Sequence, residues 1–197
     1  MGITKKIIFT GLILVLLASC SVIPLFAKEE KDYINQAIKY LDENKYNKAV
    51  GELEEALILV KSKASLEFAN VLFSKEEGFG YGLYNARENA VFAQGETFFI
   101  YGEPKNYHIK ENEKNLYEIY LKEDIYILDM NNNVLFGQVD FGELHITSHR
   151  KNSEVMLTST IEQIEPFPVG NYKFRLVLKD VFSQKTTETI IEFSVVE

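Results

Sequence analysis

The chain has few of the residue types that often build catalytic or metal sites. Its 197 residues include one cysteine, three histidines and no tryptophan. One cysteine cannot form a disulfide within the chain, and no Cys/His spacing is typical of a zinc site. A GxSxG elbow and a phosphate-cradling glycine loop are also missing. We therefore expect the protein not to be an enzyme and to need no cofactor.

Concentrated positive charge is missing as well. The formal net charge is −8, and no run of Lys or Arg is longer than two residues. Nucleic-acid-binding proteins normally carry a basic surface that displaces counterions. We expect no nucleic-acid partner. Hydrophobic residues make up 46% of the chain, which is enough for a buried core.

The single cysteine, Cys20, follows an N-terminal apolar run. Lys5 and Lys6 precede that run, which extends from Ile7 to Ala18 and reads IIFTGLILVLLA. A basic start, an apolar stretch and small residues before a cleavage point are typical of an export signal. The pattern predicts that the protein leaves the cytoplasm.

The sequence around the cysteine makes that prediction more specific. Leu17-Ala18-Ser19-Cys20 resembles the lipobox of bacterial lipoproteins, which implies that residues 1–19 are removed and that Cys20 is acylated. Residues 20–30 would then be a lipidated tether to the membrane. Ser21 resembles the outer-membrane sorting signal, so we expect an envelope location, at the outer membrane if the cell has one. An uncleaved span reaching Ala27 and a fully secreted form are the alternatives.

Residues 31–75 have helical periodicity. Apolar side chains recur every three or four residues in two stretches, separated by the polar turn Asp42 to Lys45. The spacing predicts two antiparallel helices. The following segment, ASLEFANVLF from Ala64 to Phe73, is expected to form a third helix that caps the pair.

The two helices resemble one tetratricopeptide repeat. Gln36 and Lys61 depart from the Leu and Pro that are usual in the repeat. The resemblance implies a protein-contact surface, since one repeat cannot bury its own apolar face. A generic helical hairpin is the alternative. The matching positions are Tyr33, Ala37, Tyr40, Tyr46, Ala49, Leu53, Ala56 and Leu57.

Residues 76–197 change to alternating patterns of β-branched and aromatic residues between turn clusters. We therefore predict an α+β, mainly β chain, in which the helical hairpin precedes an antiparallel immunoglobulin- or fibronectin-like β-sandwich. The candidate strands are Ala90 to Ala93, Thr97 to Tyr101, Leu116 to Leu121, Asp124 to Met130, Val134 to Phe141, Val155 to Ile164, Tyr172 to Lys179 and Thr187 to Val196.

Two late strands carry the clearest alternation, from Tyr172 to Leu178 and from Thr189 to Val195. The stretch PFPVGNYKF resembles the lead into the penultimate strand of immunoglobulin-like domains, which implies that Tyr172 bonds back to the corner backbone. GFGYGLY and FAQGETFFIYGEPKNY are similar to sandwich domains of bacterial envelope proteins with no assigned activity.

Two sequence patterns are weak metal-site candidates. Asp129, Asn131 and Asn133 begin like a calcium loop, but Val134 stands where such a loop needs glycine. An Asn-rich hairpin turn is the better interpretation. In the second pattern, His145 and His149 are four residues apart and, with Glu143, could supply two imidazoles and a carboxylate.

Tyrosines near the start of the β-rich part are candidates for an exposed interface, because tyrosine is enriched at contact surfaces. They are Tyr81, Tyr84, Tyr101 and Tyr107. Packing in the core or between domains is the alternative for these side chains.

Together these patterns predict a membrane-anchored lipoprotein that acts as a protein-binding scaffold or assembly factor, with an envelope protein as its partner. A module that binds cell-wall glycan or another polysaccharide is an alternative, although such modules often expose tryptophan. A metal-dependent hydrolase that uses His145 and His149 is the third hypothesis.

Overall fold

A computed structural model describes residues 28–163 and 165–197. The predicted export signal, the acylated Cys20 and the alternative membrane span all fall outside the described residues. The elements are α1 (Glu30–Asp42), α2 (Tyr46–Lys63), β1 (Glu67–Ser74), β2 (Val91–Ala93), β3 (Phe98–Lys105), β4 (Lys110–Glu111), β5 (Tyr117–Leu128), β6 (Val134–Ser148), β7 (Leu157–Ile161), β8 (Gly170–Asp180) and β9 (Thr186–Val196).

The two predicted helices are confirmed. The backbone N–H of Glu29 donates to the Asp32 carboxylate at 3.0 Å, which satisfies a donor at the start of α1. Asn44 adopts a positive φ of 56° in the turn between the helices. Ala37, Ala49 and Ala56 are the buried residues of the pair. Their small side chains let the two backbones approach closely.

The predicted third helix is wrong, because residues 67–74 form β1 and pair antiparallel with β3. The helical part therefore ends at Lys63, and the β-rich part begins earlier than residue 76. The register shifts between Ala69 and Leu72, where Asn70 has a positive φ of 54°. This bulge breaks the two-residue alternation of the strand, so the apolar residues fall at helix-like intervals.

The strands form two sheets. The smaller sheet has the order β1-β3-β7, and the larger has the order β2-β9-β8-β5, with β4 and β6 also paired to β5. Tyr117 and Glu118 of β5 pair with both β4 and β6, so those two strands lie on opposite edges of β5. In the described part of the chain, β6 is thus an outermost strand. All pairs are antiparallel except β2 with β9.

An aromatic core lies between the two sheets. Phe73, Phe98 and Ile100 come from the smaller sheet, while Phe174 and Phe193 come from the larger one, and all five belong to one buried cluster. Side chains from both inner faces thus fill a single layer, as expected for a sandwich. The predicted fold class, two helices followed by a mainly antiparallel β-sandwich, is confirmed.

The predicted role of Tyr172 is also confirmed. Its hydroxyl donates to the carbonyl oxygen of Pro168 at 2.7 Å, just before β8. Along β8 the even-numbered residues from Tyr172 to Leu178 are buried. The corner bond fixes how the chain enters the central strand of the larger sheet.

Two predicted strands proved to be one. Residues 117–128 form β5 without a break, although Lys122 and Glu123 separated the two candidate strands in the sequence. Asp124 is buried, and its carboxylate accepts from Lys179 at 2.7 Å and from the backbone N–H of Asp140 at 2.8 Å. Partners from neighbouring strands therefore satisfy these charges inside the sheet.

Candidate functional site

The helical pair presents an exposed apolar surface, which we call the hairpin face. Each of its side chains is 39–60% exposed, although the apolar spacing would be expected to bury them. The hairpin face consists of Ile34, Ile38 and Leu41 on α1 and Tyr46, Val50, Leu53, Leu57 and Val60 on α2.

Both stripes lie on the same side of the pair. At about 100° per residue, the α1 stripe lies about 40° to 100° around the helix from the buried Ala37. The α2 stripe lies about 20° to 100° from the buried Ala49 in the same rotational sense. Because the helices are antiparallel, an equal sense of rotation from their shared interface points both stripes in one direction. The eight side chains therefore form one continuous surface.

The sandwich contacts α2 from a different side. Lys151 donates to the Glu55 carboxylate at 2.5 Å, and Lys185 donates to the carbonyl oxygens of Ser62 and Ala64, each at 2.6 Å. Glu55 and Ser62 lie about 220° to 240° around α2 from Ala49, well away from the stripe. The hairpin is therefore attached to the sandwich without covering its apolar face.

A second apolar surface follows the outer strand β6. We call residues 134–139, with the sequence VLFGQV, the β6 edge. Val134, Leu135, Phe136 and Val139 are 45–61% exposed. Among the described residues β6 pairs only with β5, so the backbone groups on its other side meet no strand. The segment contains no charged residue and no proline, the usual protections of a sheet edge.

The β6 edge is exposed because the smaller sheet does not cover it. Phe136 pairs with Ile127, which is buried in the core, yet Phe136 is 45% exposed. The face that Phe136 shares with Ile127 is therefore not covered at β6. On the other face the Tyr126 ring lies over Gly137, where an added Cβ would come within 2.6 Å of Cδ1 of Tyr126. The register with β5 shifts between Val134 and Phe136, so the strand is bulged at Leu135.

A shallow cavity of about 240 Å³ lies between α2 and the end of the sandwich. Ile58, Tyr107, His108, Tyr117 and Lys151 are among the residues that line it. A second, more open cavity of about 500 Å³ adjoins it and shares Ile58, Tyr117 and Lys151 with it.

The four candidate interface tyrosines do not form one exposed patch. Tyr101 and Tyr107 are buried, at 0% and 5% exposure, so the prediction is wrong for these two. Tyr84 packs against Tyr101 with ring centroids 4.3 Å apart and the rings tilted by 32°, and Tyr81 contacts Lys105 through its hydroxyl. The loop around residues 78–84 thus covers the outer face of β3, and three of the rings pack that loop onto the sheet.

Tyr107 lies apart from the other three. Its hydroxyl donates to the carbonyl oxygen of Asn152 at 3.0 Å, and its ring belongs to the smaller core cluster with Leu66 and Leu121. Burial raises the pKa of Tyr107 far above its usual range. This tyrosine is part of the core at the end of the sandwich next to α2.

The Asn-rich segment forms the hairpin turn that its composition favoured. Asp129 Oδ1 accepts from the backbone N–H groups of Asn131 and Asn133, each at 2.8 Å, and the Asn133 side chain donates to Oδ2 at 2.7 Å. These bonds hold the pKa of Asp129 below its usual value. The carboxylate oxygens therefore close the turn between β5 and β6.

The two histidines differ in their surroundings. His145 lies on the exposed side of β6 and stacks on Tyr120 with centroids 4.5 Å apart, while Glu143 accepts from the Tyr120 hydroxyl. His149 follows the end of β6 and is exposed. Within residues 28–163 and 165–197, no group of three or more His, Cys, Asp or Glu side chains is placed to hold a metal ion.

One buried carboxyl, that of Glu123 in β5, faces the opposite sheet. It is 2% exposed and accepts a hydrogen bond from the Ser159 hydroxyl in β7. Burial raises the pKa of Glu123 above its usual value, the Ser159 bond opposes that effect, and the neighbouring Asp124 adds to it. The side chain also lies against Gly142 of β6. No other titratable group contributes to this shift among the described residues.

The raised pKa of Glu123 gives a pH-dependent prediction. A carboxyl with a higher pKa in the folded state destabilises the fold above that pKa, and the penalty disappears below the unfolded pKa. We expect Glu123→Gln to raise the free energy of unfolding by on the order of 1 kcal/mol at about pH 8, with no difference near pH 4. Urea denaturation at both pH values measures this. A loss of stability at about pH 8 would contradict it.

Comparisons with known proteins place the chain in no established family. No protein-family profile matches it, and no curated protein matches its sequence. It is similar to the CARDB domain of the PF1109 protein from Pyrococcus furiosus, solved in complex with di-metal ions. That likeness has a TM-score of 0.30 and 13% identity, covering 68% of this chain and 93% of that one.

A second similar structure is the alkylpurine DNA glycosylase AlkC from Pseudomonas fluorescens, bound to DNA containing an abasic site analog. The TM-score is 0.36 with 8% identity, covering 83% of this chain and 42% of that chain. Likenesses at this level assign neither a ligand nor a reaction to the present protein.

Sequence reasoning missed the β6 edge as a possible contact site. The apolar residues of this segment are typical of a core strand. The alternation of side chains along one strand does not show whether that strand lies at the centre or at the edge of its sheet. The signal that could have found it is the uncharged run of six residues directly after the turn. In the described part of the chain, no helix is both long enough and apolar enough to cross a membrane.

Proposed function

We propose that the protein is a membrane-anchored envelope lipoprotein that acts as a non-catalytic scaffold and binds an extended segment of another envelope protein along β6. The observation that carries the proposal is the uncovered β6 edge, an apolar strand segment whose outer backbone groups meet no strand in the described structure. Such an edge either recruits another strand or causes aggregation.

The edge defines the chemistry of its partner. Unpaired N–H and C=O groups along a strand are satisfied by another extended backbone, as in recognition by strand addition. Phe136 lies on the same face as its partner Ile127, and Val134 lies on the opposite face with its partner Leu128. A partner segment with apolar side chains on both faces would match this pattern. Asp140, with a positive φ of 51°, follows directly after this segment.

Cys20 is the proposed site of membrane attachment. The lipobox-like sequence supports acylation there, and a diacylglyceryl group with an N-acyl chain provides stable membrane attachment. We expect metabolic labelling with an alkyne fatty acid to mark the wild-type protein and not Cys20→Ser. Mass spectrometry should find Cys20 as the first residue. An unlabelled protein that still carries residues 1–19 would support the transmembrane alternative instead.

The β6 edge can be tested with a matched pair of substitutions. Val134 and Val169 are both valines with 55% exposure, but only Val134 belongs to the edge. A lysine at position 134 would place a charge in the apolar contact, so we expect Val134→Lys to weaken partner binding at least about tenfold. Val169→Lys should bind as the wild type does. Partners crosslinked in cells and purified with each variant provide the first measurement.

A synthetic peptide separates strand addition from other binding. The partner segment found by crosslinking is made as a peptide, with and without N-methylation of its backbone amides. We expect the methylated form to lose binding to the full-length protein, because N-methylation removes donors needed by the strand ladder. Equal binding by both peptides would contradict strand addition. Co-sedimentation with purified cell wall, unchanged by Val134→Lys, would favour the polysaccharide-binding alternative.

A further inference from the structure

We infer that a second copy of this chain covers the hairpin face, so that two helical pairs pack against each other about a two-fold axis. The hairpin face is separate from the β6 edge and has no role in the proposed strand addition. Its eight apolar side chains are arranged as one surface, away from the α2 residues that hydrogen-bond to the sandwich, although Leu57 borders a cleft shared with the sandwich.

The exposed area matches one half of a stable interface. Eight large side chains, each about half exposed, leave on the order of 700 Å² of mostly apolar surface. A typical monomer exposes apolar patches of about 300–600 Å², and a standard interface buries about 800 Å² on each partner. With its polar rim, the hairpin face therefore reaches the size that a specific dimer needs.

The rim of the hairpin face is electrically balanced. The positions about 120° to 160° around each helix from its buried alanine are occupied by Lys31, Asn35 and Asp42 on α1 and by Asn47, Glu54 and Lys61 on α2. Each helix thus contributes one base and one acid. Two identical rims can meet without net repulsion, and each base can face an acid of the partner.

The charge of the whole hairpin favours a second copy over a lipid surface. Residues 28–63 contain seven lysines and eight acidic residues, while residues 64–197 contain 12 basic and 21 acidic residues. The net negative charge therefore belongs to the sandwich. Helices that bind membranes in plane usually carry an excess of Lys and Arg beside the apolar face. This hairpin has no such excess.

The rules of helix packing also favour a second copy of the chain on the hairpin face. An antiparallel amphipathic helix pair buries its apolar side most simply against another helix pair, as in four-helix bundles. The described chain contains only this one pair. In a two-fold arrangement the same surface serves both copies, so one apolar face is sufficient. The dimer would present two β6 edges, which suits a scaffold.

In-cell photocrosslinking tests the inference with the full-length protein. A benzophenone amino acid replaces Glu54, at the rim of the hairpin face, in cells that express two differently tagged copies. We expect an adduct that carries both tags. Leu57→Glu should reduce its yield about tenfold, because it places a charge in the apolar contact. Leu83→Glu, at an exposed leucine outside the helices, should leave the yield unchanged.

Every outcome of this experiment decides the inference. An adduct to lipid, an adduct to a different protein, or no adduct with both tags would overturn it, whether or not a variant folds. An adduct that survives both Leu57→Glu and Val50→Glu would also overturn it. Val134→Lys should leave the adduct with both tags intact, so a failure of this inference can be distinguished from a failure of the proposed function.

Discussion

Phe98→Ala is expected to lower the free energy of unfolding by about 3–5 kcal/mol. The Phe98 ring is fully buried at the centre of the aromatic core. Its centroid lies 4.3 Å from that of Phe92 and 5.1 Å from that of Phe193, both in edge-to-face geometry. Removing the ring leaves a cavity that rings from both sheets cannot fill without moving off their favoured rotamers.

Urea denaturation of Phe98→Ala and of Phe79→Ala measures this effect. Phe79 is 66% exposed, so its replacement by alanine should change stability by less than about 0.5 kcal/mol. The two variants remove the same atoms. The difference between their free energies of unfolding therefore measures the effect of burial. A loss below about 1 kcal/mol for Phe98→Ala would show that the two sheets do not pack as described.

Asp180→Ala is expected to cost about 3 kcal/mol, the second large effect. Asp180 is 1% exposed and ends β8. Its Oδ2 accepts from the backbone N–H of His108 and from the Ser183 hydroxyl, each at 2.6 Å, and its Oδ1 accepts from the N–H of Phe182 at 3.0 Å. Alanine would leave these partly buried donors without an acceptor.

Asp180→Asn provides a graded comparison. Asparagine keeps one acceptor oxygen but replaces the other with an NH2 donor. That donor would face the N–H of His108 or of Phe182, so one hydrogen bond would be lost. We therefore expect Asp180→Asn to fall between the wild type and Asp180→Ala in thermal and urea unfolding. Equal stability of all three proteins would contradict the role assigned to this carboxylate, which joins the β8–β9 turn to the segment after β3.

Local patterns in the sequence predicted the parts of the fold that depend on neighbouring residues. The two helices followed from three- and four-residue spacing, and the inward residues of β8 followed from alternation. Tyr172 was predicted from the turn before it, and its bond to Pro168 is present. These features are set within about ten residues of chain, so periodicity and turn chemistry are sufficient.

The errors arose where distant residues decide the outcome. β1 resembled a helix because the bulge at Asn70 interrupts its alternation, and the Asn70 side chain donates to Glu103 of β3 at 3.0 Å. Tyr101 was expected at the surface, but a loop about 20 residues earlier covers it, and its hydroxyl accepts from the Gly82 N–H at 2.8 Å. Local periodicity contains no information about either contact.

The candidate contact surfaces could be predicted only in part. The resemblance to a tetratricopeptide repeat implied a contact surface on the hairpin, and the structure adds that one continuous side is open. The β6 edge depends on strand order, which places β6 outside β5 at the margin of the larger sheet. Strand order follows from long-range pairing, so the letters VLFGQV alone could not distinguish a core strand from an exposed one.

Photocrosslinking from the β6 edge in living cells tests whether this strand binds another envelope protein. A benzophenone amino acid replaces Leu135 in the full-length protein, and the adducts are digested and sequenced by mass spectrometry. We expect a discrete adduct with one extended apolar segment of another envelope protein, reduced about tenfold by Val134→Lys and unchanged by Val169→Lys. Adducts that are absent, or that are the same in both variants, would contradict it.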